Sequence, residues 1–310
     1  MTTQGFREVV TQVLACPKCH SPLEFSDHSS DIGCSGCSSR FPICSGIPVF
    51  VEDGATEQED ERQLRNALAE GHRQSSPQAL LEEVAAHHCI PVMQQMAREF
   101  WSAVGPSGWI LDVGIGYGWH WMGVCPDARI IGIDMSLGNL LLARRLLESA
   151  DSEVVLICAD AAALPIRDRA ISGIWSVQVF QHFSDRVMQR VFVEMERVLQ
   201  DYFVIEVANT NPAWLHRIIY RMCGRHLHRR GRIGGMELNR FSAKEWFEVW
   251  RHFRGGAVRI DRAYSELFFH PDLRLHPRRY PLRLERCIGR RFPALAGLFS
   301  RQLHMRIASR

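Results

Sequence analysis

Trp109-Ile110-Leu111-Asp112-Val113-Gly114-Ile115-Gly116-Tyr117-Gly118 is the stretch on which the fold turns. An apolar strand runs straight into three glycines at alternate positions, and a ligand can lie against the backbone of such a turn because no side chain intervenes. Downstream, residues 128–133 predict a second strand ending at Asp134, twenty positions after Gly114, where a carboxylate can take the hydroxyls of a ribose. A third strand over 154–158 leads to Ala159-Asp160-Ala161 and Leu164-Pro165. There Asp160 can accept from an adenine amino group while Ala161 leaves room for the ring. Strand 170–177 runs into Gln178-Val179-Phe180-Gln181-His182, followed by a helix over 187–199 and a strand over 202–207. This alternation predicts a three-layer α/β domain. The GxGxG spacing favours a nucleoside cofactor and departs from the GxGxxG of nicotinamide and flavin sites, the rival ligands.

At residues 110–118, Ile131-Gly132-Ile133-Asp134-Met135-Ser136, 158–165 and Glu194-Met195-Glu196-Arg197-Val198-Leu199, the chain resembles the class I S-adenosylmethionine-dependent methyltransferases. The resemblance is close over about 108–210. It implies a Rossmann-like seven-stranded α/β domain with S-adenosyl-L-methionine as cofactor. Gly114, Gly116 and Gly118 would line the methionine and ribose side, with Asp112 beneath the amino group. Asp134 would bind the ribose, Met135 would lie against adenine, Asp160 and Ala161 at the base edge, and Val177 and Gln178 between cofactor and acceptor. His182 is the candidate catalytic base, since histidine titrates near neutral pH and this one follows a strand end facing the pocket. A helix cap or a neighbour of the adenosine is its other reading. Gln181 and Tyr264 are further pocket candidates, and Tyr117 could shape the acceptor side.

Nearer the N-terminus, Cys16-Pro17-Lys18-Cys19 and Cys34-Ser35-Gly36-Cys37 form two CxxC knuckles fourteen residues apart. Two knuckles complete the tetrahedral thiolate set that Zn2+ favours, and four thiolates leave no open position, so such a site is structural. An iron centre or a redox pair would use the same cysteines. Together with Phe41-Pro42-Ile43-Cys44-Ser45-Gly46-Ile47-Pro48-Val49-Phe50, the knuckles resemble the zinc ribbon of the small methyltransferase-activator proteins. That resemblance implies a ribbon acting as a partner or fused module of a methyltransferase.

The expected organisation is a zinc ribbon over 1–50, an acidic exposed linker over 51–78 with a helix from Glu59 to Ala69, and the methyltransferase domain over 79–310. Helical spacing covers 79–104, divided at Pro91. His87-His88-Cys89 reads as the solvent edge of that helix. Beyond 210, helices are expected over 212–225 and 243–253, a sixth strand over 257–261, and an antiparallel edge strand over 302–308. The excursion 268–301 could cover the acceptor site.

Residues 211–310 carry 22 Lys and Arg against 7 Asp and Glu, whereas the first 210 balance at −12. The basic end, with Arg221, Arg225, Arg229, Arg230 and Arg232 near Trp214 and Tyr220, can attract RNA or an anionic membrane surface, or can pair with the chain's own acidic half. No apolar run reaches eighteen residues and no signal-peptide core precedes Cys16, which predicts a cytoplasmic chain, peripheral at a membrane if the basic end docks there. The favoured function is methyl transfer to a small-molecule or lipid-like acceptor. An RNA methyltransferase and a noncatalytic S-adenosylmethionine-binding scaffold are the alternatives. Ser176-Val177-Gln178-Val179 is no NPPY-type tetrad, which speaks against methylation of a base amino group.

Overall fold

The computed structural model describes residues 3–309 apart from 26–29, 53, 55, 125–126, 150–153, 223–229, 234–235, 270–276 and 278. Asp53, Arg225, Arg229 and Arg278 lie outside the described residues, as do the side chains of Tyr220 and Arg232.

Helix α1 (Thr3–Gln12) precedes an antiparallel ribbon of β1 (Leu23–Phe25), β2 (Asp31–Cys34), β3 (Arg40–Cys44) and β4 (Ile47–Pro48). Then come α2 (Glu59–Gly71), α3 (Pro77–His87) and α4 (Ile90–Val104). The main sheet is laid down by β5 (Trp109–Val113), β6 (Arg129–Asp134), α5 (Leu137–Glu148), β7 (Val154–Cys158), β8 (Ile171–Val177), α6 (Asp185–Val198) and β9 (Leu199–Thr210). After it follow α7 (Trp214–Met222), the hairpin β10 (Arg230–Ile233) and β11 (Met236–Asn239), α8 (Ala243–Trp250), β12 (Val258–Ser265), α9 (Leu282–Arg291), α10 (Pro293–Phe299) and β13 (Gln302–Ser309). Serine hydroxyls start four of the helices: Ser76, Ser136, Ser184 and Ser242 each accept a first-turn N–H. Pro91 sits in the first turn of α4, where its missing N–H costs nothing.

The seven strands run β12-β13-β9-β8-β5-β6-β7, the α/β class expected. Neighbours from β9 to β7 are parallel, and β13 is antiparallel to both β9 and β12. Thus β13 is interior, and the expectation of an edge strand fails. Leu303, Met305 and Ile307 fill one face, but Gln302 and His304 on the other are equally buried, so both faces are covered.

Two further departures shape the site. The connector is no exposed linker: α2 packs on α5, where the Asn66 side-chain oxygen accepts from the Ser136 hydroxyl (2.7 Å) and the Gly138 N–H (3.0 Å). The ribbon, in turn, continues the sheet. Val49 bridges Cys158 in parallel, the Phe50 N–H donates to the Cys158 carbonyl (2.8 Å), and Leu14 bridges Ile166. Val9, Leu14, Leu23 and Phe41 share one apolar cluster with Leu164, Ile166 and Val191.

Candidate active site

A cavity of about 390 Å³ opens at the C-terminal ends of β5, β6 and β8, where parallel sheets bind ligands. Helices α2 and α3 wall it with Glu61, Arg65, Leu68 and Val84. In the turn after β5, Gly114 (φ +72°), Gly116 (+56°) and Gly118 (+67°) are all left-handed. A Cβ on Gly114 would come within 2.3 Å of Val179, whereas one on Gly116 would meet nothing within 4 Å and would project into open space. Half-buried Asp134 accepts from Gly116 N–H (3.0 Å) and Ser136 N–H (2.8 Å), which anchors the turn to the end of β6. Burial raises its pKa, and the two N–H groups and Arg65 pull it back.

Of the residues singled out in the sequence, Gly114, Gly116, Asp134, Met135, Ala161, Val177, Gln178 and His182 line this cavity, as does Tyr117. Gln178 takes φ +59° while its N–H donates to the Ala208 carbonyl (2.7 Å), a strained conformation at the end of β8. Gly118 packs under the turn, where a Cβ would stand 3.1 Å from Leu147. Asp160 sits behind the wall, its carboxylate accepting from the Thr56 hydroxyl and the Ala162 N–H, both at 2.8 Å. Tyr264 lies elsewhere, in a hollow beside α7 and α10.

Asp112 is fully buried and turned away from the cavity. Its Oδ2 accepts from His120 Nε2 and Trp121 Nε1, each at 2.7 Å. With Nε2 carrying its proton toward Asp112, a neutral His120 presents a lone pair at Nδ1. His120 lines the cavity, and that Nδ1 is buried with no partner among the described residues. The sequence reading missed this histidine. Its signal was the Trp119-His120-Trp121 triplet directly after the glycines, which forms a 3-10 turn.

His88 also lines the cavity, stacked at 5.1 Å on Trp119, and burial lowers its pKa to about 3. The solvent-edge reading holds for exposed His87 and is corrected for its neighbours: α3 ends at His87, His88 lines the cavity and Cys89 is buried. His182 donates from Nδ1 to the Glu237 carbonyl of β11 (2.6 Å), and Nε2 stands 3.4 Å from the amide of Gln181. Burial, then the charge of Arg65, lowers its pKa to about 4. Gln181 itself is buried and accepts from Thr210 N–H. Among the described residues, none of 211–301 lines the cavity, and α9 and α10 pack on β12.

In the ribbon, Cys16, Cys19, Cys34 and Cys37 converge, with all four sulfurs within 4.8 Å of one another. Two of the S–S separations are 3.7 and 3.4 Å. Ligands about 2.3 Å from a tetrahedral zinc stand about 3.8 Å apart, so the donor set fits that ion. Cys44 is outside the cluster.

A family model described as a methyltransferase domain matches residues 110–201. Residues at the N-terminal end are 43% identical over 51 positions to a UPF0434 protein of Azotobacter vinelandii, covering 16% of this chain and 84% of that protein. A UPF0434 protein of Methylobacillus flagellatus is 39% identical over 44 positions, 14% of this chain and 73% of that protein. Among solved structures, a SAM-dependent methyltransferase from Thermotoga maritima superposes with TM-score 0.50 at 15% identity, covering 80% of this chain and 98% of that one. The geranyl diphosphate C-methyltransferase of Streptomyces coelicolor, bound to geranyl diphosphate and S-adenosyl-L-homocysteine, gives 0.50 at 16% identity, covering 84% and 100%. These likenesses are of fold.

Proposed function

The chain belongs to the UPF0434 family through its N-terminal ribbon and is an S-adenosylmethionine-dependent methyltransferase through the domain behind it; from that premise we propose that it methylates a small-molecule or lipid-like acceptor held in the cleft. The observation that carries this reading is the enclosure of the cleft. At about 390 Å³ under α2 and α3 it has the size of a small-molecule site. Arg65, the arginine lining it, is paired with Glu61 at 3.2 Å. The Streptomyces coelicolor relative of the same fold is a methyltransferase of geranyl diphosphate, itself a lipid-like molecule.

S-adenosylmethionine, when bound, supplies a methyl group on a sulfonium that an acceptor lone pair displaces in line. In our reading Asp134 takes the ribose hydroxyls, Gly114 and Gly116 offer backbone to the sugar and sulfur, and Met135 and Ala161 flank the base. Asp160, tied to Thr56 and Ala162, holds the base-side turn in place. Val177 and Gln178 wall the acceptor side. His120, oriented by Asp112, takes the amino-acid arm, so Asp112 acts through it. The Nδ1 proton of His182 is held on Glu237, which leaves Nε2 to accept a proton from the acceptor. A base held near pKa 4 is already deprotonated at neutral pH, so a step that uses it stays level from pH 6 to 8 and fails below about 4. The four ribbon cysteines hold structural Zn2+.

The test is incubation with methyl-labelled S-adenosylmethionine and either total RNA or a protein-free extract of lipids and metabolites. Label is expected in the extract and absent with Asp134→Ala. Salt-sensitive labelling of RNA would overturn the acceptor class, and labelling of neither pool would favour a scaffold. His120→Ala should weaken S-adenosylhomocysteine binding about tenfold and leave 5′-methylthioadenosine, which lacks the amino-acid arm, unchanged.

A further inference from the structure

The basic excess of the C-terminal part divides in two. Arg230 pairs with Asp185, Arg301 with Glu266 and Arg306 with Glu206, while the Arg254 guanidinium donates to the Glu196 and Leu199 carbonyls. In contrast, Arg217, Arg221, Lys244, Arg262, Arg290 and Arg291 are exposed and have no carboxylate partner among the described residues. The acidic half of the chain therefore does not neutralise them.

These cations surround exposed apolar side chains. Trp214 is 57% exposed, Phe292 55%, Leu295 46% and Leu298 44%. Phe292, Leu295 and Phe299 follow helical spacing along the outer side of α10, while Ala296 faces inward and is fully buried. Trp214, Arg217, Lys244 and Leu298 line one hollow of about 370 Å³ between α7, α8 and α10. Lys244 also borders the next hollow, with Phe247 and Arg262. Among the described residues no acidic one lines either. In α9 and α10 the one carboxylate, Glu285, is buried and accepts from Leu267 N–H and the Tyr280 hydroxyl.

The patch is held firmly. The Asn211 amide donates to the Gly297 and Ser300 carbonyls at 3.0 Å, and Gly297 lies against the Tyr264 ring, where a Cβ would come within 3.0 Å. The apolar side of α10 is thus presented outward by rigid neighbours. Its complement must be anionic at the rim and apolar beneath. A bilayer with anionic headgroups has that layering, and basic amphipathic helices bind it by sinking the apolar side to the acyl boundary while Arg and Lys stay among the phosphates. RNA meets the charge requirement alone, because bases stack on aromatic rings and gain little from Leu295 and Leu298.

We propose that the face made by α7, α8, α10 and the C-terminal end of α9 docks the protein on an anionic membrane surface. It is separate from the cleft and does not depend on the acceptor assigned there. The full-length protein is floated with vesicles of phosphatidylglycerol and phosphatidylcholine in equal parts, or of phosphatidylcholine alone, near physiological salt. Flotation is expected with the anionic vesicles only. Arg290→Ala with Arg291→Ala should lower partitioning about ten- to thirty-fold, and Leu295→Ser with Leu298→Ser at least about tenfold, each with unchanged S-adenosylhomocysteine binding as proof of an intact fold. Failure of the wild type to float with anionic vesicles overturns the proposal, as does flotation unaltered in both variants. Binding of polyuridylate RNA that the arginine pair abolishes, with vesicle binding unmoved by the leucine pair, assigns the face to RNA instead.

Discussion

The ribbon and the sheet behind it are held by different physics. The sheet closes a large apolar core over seven strands, whereas the ribbon's four strands contribute few buried side chains and converge on four sulfurs. Yet the two share one core, and the seam at Phe50 and Cys158 leads directly into Ala159 and Ala161 in the wall of the cleft. The difference teaches that the ribbon braces from outside the strand end that leads into the wall of the cleft.

Removing a metal ligand should break this comparison most severely. Cys34→Ser is expected to lose bound zinc, read by atomic emission, and to unfold the ribbon, since a metal of this kind supplies much of a small module's folding free energy. S-adenosylhomocysteine binding should weaken but persist. Complete loss of binding would mean that the sheet cannot fold without the ribbon. Phe50→Ala cuts the seam and leaves the ligands alone. Phe50 is buried against Phe41 with ring centroids 4.7 Å apart, so the change should cost about 3 kcal/mol in a denaturant titration with zinc content unaltered.

The smallest effect isolates the sheet. His304 on β13 is buried beside Ser265, and burial holds it down to about 3, against 6.5 for an ordinary histidine. Between those values the unfolded chain takes up a proton that the folded one refuses. The contribution is therefore whole above pH 6.5 and is lost as pH falls. His304→Gln should remove about 2 kcal/mol from the stability lost between pH 7 and pH 5, measured by unfolding at both pH values. An unchanged difference would show that His304 titrates normally.

Features contiguous in the sequence were legible: the strand and glycine turn at 109–118, Asp134 at the next strand end, and the cysteine pairs. Each rests on residues a few positions apart whose chemistry is local. What was not legible depends on distant partners. Asn66 reaches Ser136 seventy positions on, and nothing in the acidic run over 51–78 announces that α2 will wall the cleft. The interior place of β13 was signalled by Gln302 and His304, polar residues that a solvent-facing side would also carry. The hairpin β10–β11, whose Glu237 carbonyl holds His182, has short strands with Gly231 in one of them, too weak a pattern to read. The resemblance placed Asp112 beneath the amino group, directly or through water; its partners, His120 and Trp121, come just after the glycine turn.

The most direct test of the account is a calorimetric titration of S-adenosylhomocysteine into the wild-type protein and Asp134→Ala. We expect one site per chain, weakened about 100-fold or more by the loss of a carboxylate that would make charged hydrogen bonds to the ligand, with zinc unchanged. Absence of binding by the wild type, or equal affinity in the variant, would contradict the assignment of the cleft.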